Sequence, residues 1–219
     1  MTPGIEWWRQ QADSARHQMR STVASRRVLI EVAAQHPLKD GLSPGAEFQA
    51  RLDRAVELVL YYATRGWTVE VYVPGSRHRS NGVADKVSLS HAGTEYLKPL
   101  LPADVSLHGD DLNDIYLGET GVYGSADECF VTASYFKDGQ FEQVIVVLSP
   151  QQLARKLLHY LAFGIEPLLH TAPVSEPFHD IVTELMFSVP EVLDVDPTAQ
   201  GPESAAAQRL RQERRGGTD

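Results

Sequence analysis

The chain has 219 residues, 42% apolar and 22% charged, with 20 Lys+Arg against 29 Asp+Glu and a formal net charge of −9. These values fit an average globular chain of one large domain and exclude a coiled coil, a collagen and a wholly disordered protein. The acidic balance argues against a nucleic-acid binder, which needs a basic face, and the single cysteine, Cys129, excludes an intrachain disulfide and a cysteine-based zinc site.

In chain order, residues 2–24 have the pattern of an amphipathic helix carrying Trp7 and Trp8, expected to pack on the core. Five short apolar runs bounded by turn signals follow: Arg27–Ala34, Trp67–Val73, Val105–His108, Gln143–Leu148 and Ile165–His170. The near-continuous Val/Ile run of the fourth is the pattern of a strand covered on both faces. Helical patterns separate them. Phe48–Arg65 carries the stripe Leu52, Val56, Val59 and Leu60 and stops at Gly66. Ser90–Leu101 and Ser125–Lys137 come next. Pro150–Phe163 places Leu153, Leu157, Leu158 and Leu161 on one face and ends at Gly164. His179–Val189 has the pattern of a last helix, and 190–219 that of a mobile charged tail with Arg209, Arg211, Arg214 and Arg215.

Strands alternating with helices at this spacing predict βαβ units. The expected fold is an α/β Rossmann-like three-layer sandwich with a mainly parallel five-stranded sheet, plus N- and C-terminal helical additions. It divides the chain into a helical extension (1–26), a Rossmann-like domain (27–189) and a tail (190–219). No run approaches the length of a membrane span, and MTPGIEWWRQQADSARHQMR lacks the apolar core of a signal peptide, so a cytoplasmic protein without a membrane span is expected.

Ligands of open α/β sheets bind beyond the carboxyl ends of the strands. The loop after the second strand offers the Gly75 and Ser76 backbone N–H groups beside Arg77, His78 and Arg79, a combination suited to an anion; the alternative is a solvated loop whose arginines pair with nearby carboxylates. Ser125 with Glu128, and Ser149 with Gln152, have capping-box spacing, which by itself explains those residue types. Arg155 stands one and a half turns beyond Ser149, within reach of a ligand at that helix start or of a buried Asp. His36, His78, His108 and His170 fall near four strand ends, with Asp110, Asp111 and Glu119 in the same layer, but no metal-binding spacing such as HxH or HExxH occurs. Cys129, inside a helix beside Phe130, has the pattern of a structural thiol. Neither G-x-S-x-G nor G-x-G-x-x-G is present, which disfavours an α/β-hydrolase and a nicotinamide-dinucleotide enzyme.

Several segments together carry a resemblance. Arg51-Leu52-Asp53-Arg54-Ala55, Pro74-Gly75-Ser76, Ser90-His91-Ala92-Gly93-Thr94-Glu95, Gly124-Ser125-Ala126-Asp127-Glu128-Cys129 and Leu148-Ser149-Pro150-Gln151-Gln152-Leu153-Ala154-Arg155-Lys156 follow the order and spacing of motifs in the YdcF/SanA/ElyC-like family of bacterial Rossmann-like domains. Over Arg27 to Ala172 the chain resembles that family. It departs from it in lacking glycines after the first strand, in having Gln152 at the motif histidine and in having Glu128 at the motif asparagine. The resemblance implies a Rossmann-like fold, a nucleotide-like ligand such as S-adenosylmethionine, and association with the cell envelope and its lipid-linked precursors.

The leading functional expectation is binding of an anionic or nucleotide-type small molecule, with or without catalysis. Gly75, Ser76, Arg77, Ser125, Glu128, Ser149, Gln152 and Arg155 would hold it, His78 would act as acid/base, and Asp110 or Asp111 would contact a hydroxyl or a metal. The alternatives are a metal-assisted hydrolase or transferase using the histidines with Asp110, and a non-catalytic interaction protein.

Overall fold

The computed structural model of the protein describes residues 26–34, 38–77, 79–80, 83–115 and 125–175. Its elements are β1 (Arg27–Val32), β2 (Leu38–Lys39), β3 (Ser43–Pro44), α1 (Ala46–Ala63), β4 (Thr68–Gly75), β5 (Arg79–Ser80), β6 (Val83–Ala84) and α2 (Leu89–Leu97). They continue with β7 (Ser106–Asp111), α3 (Leu112–Ile115), α4 (Ser125–Asp138), β8 (Gln143–Leu148), a 3₁₀ turn (Pro150–Gln152), α5 (Leu153–Ala162) and β9 (Leu168–Thr171). The predicted helices at 2–24 and His179–Val189, and the tail at 190–219, lie outside the described residues.

Five strands make one sheet in the order β7-β4-β1-β8-β9, every neighbouring pair parallel. The fold is the α/β Rossmann-like sandwich that the strand–helix alternation predicts. Right-handed crossovers explain the layering. The chain steps outward from β1 through α1 to β4 and through α2 to β7, then crosses back through α4 to β8 and on through α5 to β9. The outward steps put α1 and α2 on one face, over Val28, Ile30, Val71, Val73, Ile145 and Val147. The return steps put α4 and α5 on the other, over Leu29, Tyr72, Val144, Val146 and Leu148. The central strands are therefore buried on both sides.

Gly66 and Gly164, at φ +80° and +73°, end α1 and α5 in the left-handed conformation that favours glycine, as their positions predict. Other boundaries differ. β4 and β7 run to Gly75 and Asp111, two and three residues past their predicted ends, because Pro74 pairs with Asp110 and Gly75 with Asp111. Two small hairpins, β2–β3 and β5–β6, were not expected; each is inserted at a carboxyl strand end, between β1 and α1 and between β4 and α2.

The leucine face of the last described helix turns outward. Leu153, Leu158 and Leu161 of α5 are 39%, 41% and 49% exposed, whereas Lys156, His159 and Tyr160 are fully buried. The inward set 156, 159, 160 and 163 has the i, i+3, i+4, i+7 spacing of one helix face. Tyr160 and Phe163 supply its apolar anchorage, and Lys156 faces a carboxylate inside the sheet. In α1 the stripe is rotated in the same sense: Phe48, Leu52, Ala55, Leu58 and Val59 are buried, while Leu60 is exposed.

Candidate functional site

At the β1/β8 boundary α1 leaves for one face and α5 for the other, which makes the carboxyl ends of these strands the topological switch point, where open α/β sheets form a crevice. Four polar side chains converge beside it. Ser149, the residue after β8, donates its hydroxyl to Glu47 in the first turn of α1. Gln152 Oε1 accepts the Ser149 backbone N–H at 3.4 Å, closing a capping box, and also accepts Arg51 Nη1 at 2.8 Å. All four are buried, Arg51 completely. Capping thus accounts for only part of what Ser149 and Gln152 do: they also tie the start of α5 to α1 across the crevice. The first turns of α1, α4 and the 3₁₀ turn leading into α5 all stand at this end of the sheet, where helix dipoles favour negative charge. Glu47, Asp127 and Glu128 are the acidic residues of those turns.

Under the crevice, on the α4/α5 face, lies a buried ionic cluster. Glu31 of β1 is fully enclosed, and Lys156 Nζ reaches its Oε1 at 3.2 Å and Glu128 Oε2 at 2.6 Å. Burial pushes the Glu31 carboxyl up to about 7, only partly opposed by Lys156. Burial also works against the Lys156 ammonium, but the adjoining Glu128 and Glu31 carboxyl groups offset it and keep the lysine protonated. Cys129 is buried next to them, and its thiol is pushed well above its usual value by burial, the setting of a structural rather than a nucleophilic cysteine. Glu128 thus turns one carboxylate oxygen into the interior, to Lys156. Ser125 opens α4 half-buried, and Arg155 is half-buried on the flank of α5 beside Cys129.

The other predicted site residues gather elsewhere, over β4 and β7. Gly75 is a packing glycine: a Cβ there would stand 2.8 Å from Leu89 Cβ and 2.8 Å from Ser90 N, so its lack of a side chain seats the start of α2. Ser76 is buried and its carbonyl accepts the Leu89 N–H at 3.0 Å. Arg77, with a 58% exposed side chain, sits 3.9 Å from Asp111 and donates its backbone N–H to Asn113 Oδ1 at 2.9 Å. That is the solvated, carboxylate-paired arrangement weighed against an anion loop. Asp110 accepts the Tyr72 hydroxyl at 2.7 Å, and burial together with Asp110 raises that phenol far above its ordinary value. Tyr135 stacks on Tyr72 and donates to Glu70, which also pairs with Arg27 and lies 3.4 Å from His108. Burial and Glu70 push the Tyr135 phenol up to about 12.

The predicted residues thus fall into two groups. With neighbouring strands about 4.8 Å apart, β4 lies about 10 Å and β7 about 14 Å from β8. His108 and His170 stand on β7 and β9, the two edges of the sheet and about 19 Å apart on the same spacing, so they do not share a metal. Among the described residues, no group of three His, Cys, Asp or Glu side chains is placed to hold a metal ion. His36, His78 and Glu119 lie outside the described residues. No helix among the described residues is long and apolar enough to cross a membrane.

Sequence reasoning missed Glu31, Glu47, Arg51 and Lys156. Two signals for them existed: a lone Glu31 inside the apolar run Val28-Leu29-Ile30-Glu31-Val32, and Lys156 with His159 at helical spacing opposite the leucines. No protein-family model matches the chain, and no curated protein matches it.

Proposed function

We propose that this protein binds a small polar molecule of the anionic or nucleotide class in the crevice at the carboxyl ends of β1 and β8. The observation that carries the reading is the buried chain Glu47–Ser149–Gln152–Arg51 at the switch point, four polar groups gathered where an apolar sheet end would need none. Glu47 suits ligand hydroxyls, such as those of a ribose, because a carboxylate accepts from two donors at once. The helix start beside Ser149 suits an anionic group through its dipole, with Arg155 a half-buried cation on α5. Arg51 acts through Gln152, holding its amide in place. The resemblance to the YdcF/SanA/ElyC-like family points the same way, toward a nucleotide-like ligand such as S-adenosylmethionine. In this reading Arg77 and Asp110, about 10–14 Å along the sheet, belong to the far end of an extended ligand or to none.

The test is a thermal-shift screen of nucleotides, S-adenosylmethionine, nucleotide-sugars and sugar phosphates against wild type, Ser149→Ala and Arg77→Ala. A ligand at a hundredfold its Kd adds about 2.7 kcal/mol, a rise of several degrees for a chain this size. One class should stabilise wild type and Arg77→Ala and lose its effect in Ser149→Ala. A hit that survives Ser149→Ala unchanged, or a panel without hits, overturns the reading.

A further inference from the structure

The cluster under the crevice holds two carboxylates and one ammonium. Glu31 and Lys156 are wholly enclosed and Glu128 nearly so, which leaves one negative charge uncompensated when both acids are ionised. The hydrogen bonds are also incomplete. Glu31 Oε1 accepts Lys156, but Glu31 Oε2 is buried without a partner among the described residues, and the Thr132 hydroxyl lies near the same carboxylate without closing a hydrogen bond to it. A proton on the Glu31 carboxyl relieves both problems: it neutralises the excess charge and gives the acid a donor for the nearby Thr132 hydroxyl.

We propose that Glu31, Glu128, Lys156 and Thr132 form a buried proton-binding site whose occupancy sets how tightly the first turns of α4 and α5 are held to the end of β1. The groups around Glu31 belong to every element packed on it. Glu128, Cys129 and Thr132 come from α4; Lys156 comes from α5, with Arg155 and His159 on either side of it along the helix; Tyr72 comes from the paired position of β4. β8 contributes apolar neighbours, Val146 at the paired position and Leu148 on the same face. Glu31 and Lys156 belong to β1 and α5, two of the elements that meet at the crevice, so a proton gained or lost beneath it changes how firmly α5 is held there. The device does not depend on the identity of a ligand.

The sign follows from linkage. The folded chain keeps the Glu31 proton up to about pH 7, whereas the unfolded chain releases it near the ordinary 4.5. Stability from this group is therefore full below that lower value and drains away as pH rises toward neutrality. The experiment compares urea unfolding of wild type and Glu31→Gln, whose amide imitates the protonated acid, from pH 5 to pH 8. The folding equilibrium constant of wild type should fall relative to the variant on the order of a hundredfold over that range. Parallel curves overturn the proposal. Wild type alone supplies a second measurement, because Cys129 is the sole cysteine and is buried between α4 and α5. Its labelling by a dithiodipyridine should rise more steeply below pH 7 than the roughly tenfold per unit that thiol ionisation gives, and settle to that slope above. A uniform tenfold slope from pH 5 to pH 8 overturns the proposal even if Glu31→Gln does not fold.

Discussion

Lys156→Met removes the cation that holds two buried carboxylates together while preserving most of the apolar stem. The lost contacts are 3.2 Å to Glu31 and 2.6 Å to Glu128, at a site without solvent to replace them. Breaking such a pair by deleting one partner costs about 3–5 kcal/mol, because the remaining charge stays buried and unpaired. At about 2–4 °C per kcal/mol for a chain of this length, the melting temperature at pH 7 should fall by about 6–20 °C. If the loss comes from stranded charge rather than from packing, neutralising the survivors should restore it. Lys156→Met combined with Glu31→Gln and Glu128→Gln should regain most of the stability, since an apolar or neutral set of similar volume replaces a buried ionic one at little net change. Urea and thermal unfolding followed by circular dichroism read both variants. A loss below about 1 kcal/mol in the single variant would refute the buried-charge argument. So would a triple variant no more stable than the single one.

Gly75→Ala should destabilise by about 1–3 kcal/mol through overpacking against Leu89 and Ser90 and leave ligand affinity in the crevice unchanged, measured by unfolding and by titration of any hit. Leu161→Lys on the exposed flank of α5 should change stability by less than about 0.5 kcal/mol, whereas Tyr160→Ala on the buried flank should lose about 3–5 kcal/mol. A reversed ranking in the same unfolding assay would return α5 to the orientation its leucines suggest. His170 titrates below its ordinary 6.5 because of burial and the nearby Arg54, so it should be neutral at pH 7. In Arg54→Gln its midpoint, read by NMR, should move upward.

Strand-forming runs, helix-stopping glycines and the α/β class are legible in the chain because they rest on local properties: backbone freedom at Gly66 and Gly164, and apolar alternation along Gln143–Leu148. Register is not local. β4 and β7 lengthen each other by pairing, so Gly75, Asp110 and Asp111, which have the composition of a loop, end up inside the sheet. The site followed the same division. Ser149 and Gln152 stand out by their spacing at a helix start, but Glu47 and Arg51, about a hundred residues away, join them only when α1 is laid beside β8.

The sequence by itself determined where strands and helices alternate, and hence the parallel three-layer architecture. The tertiary structure alone decided which side of α5 turns inward. Four leucines on one flank mark it as the apolar face by local pattern, yet the helix buries Lys156 and His159. Glu31 is already committed to the interior by the strand it sits in, and its buried polar group is more costly to leave without a partner than surface leucines are to leave wet.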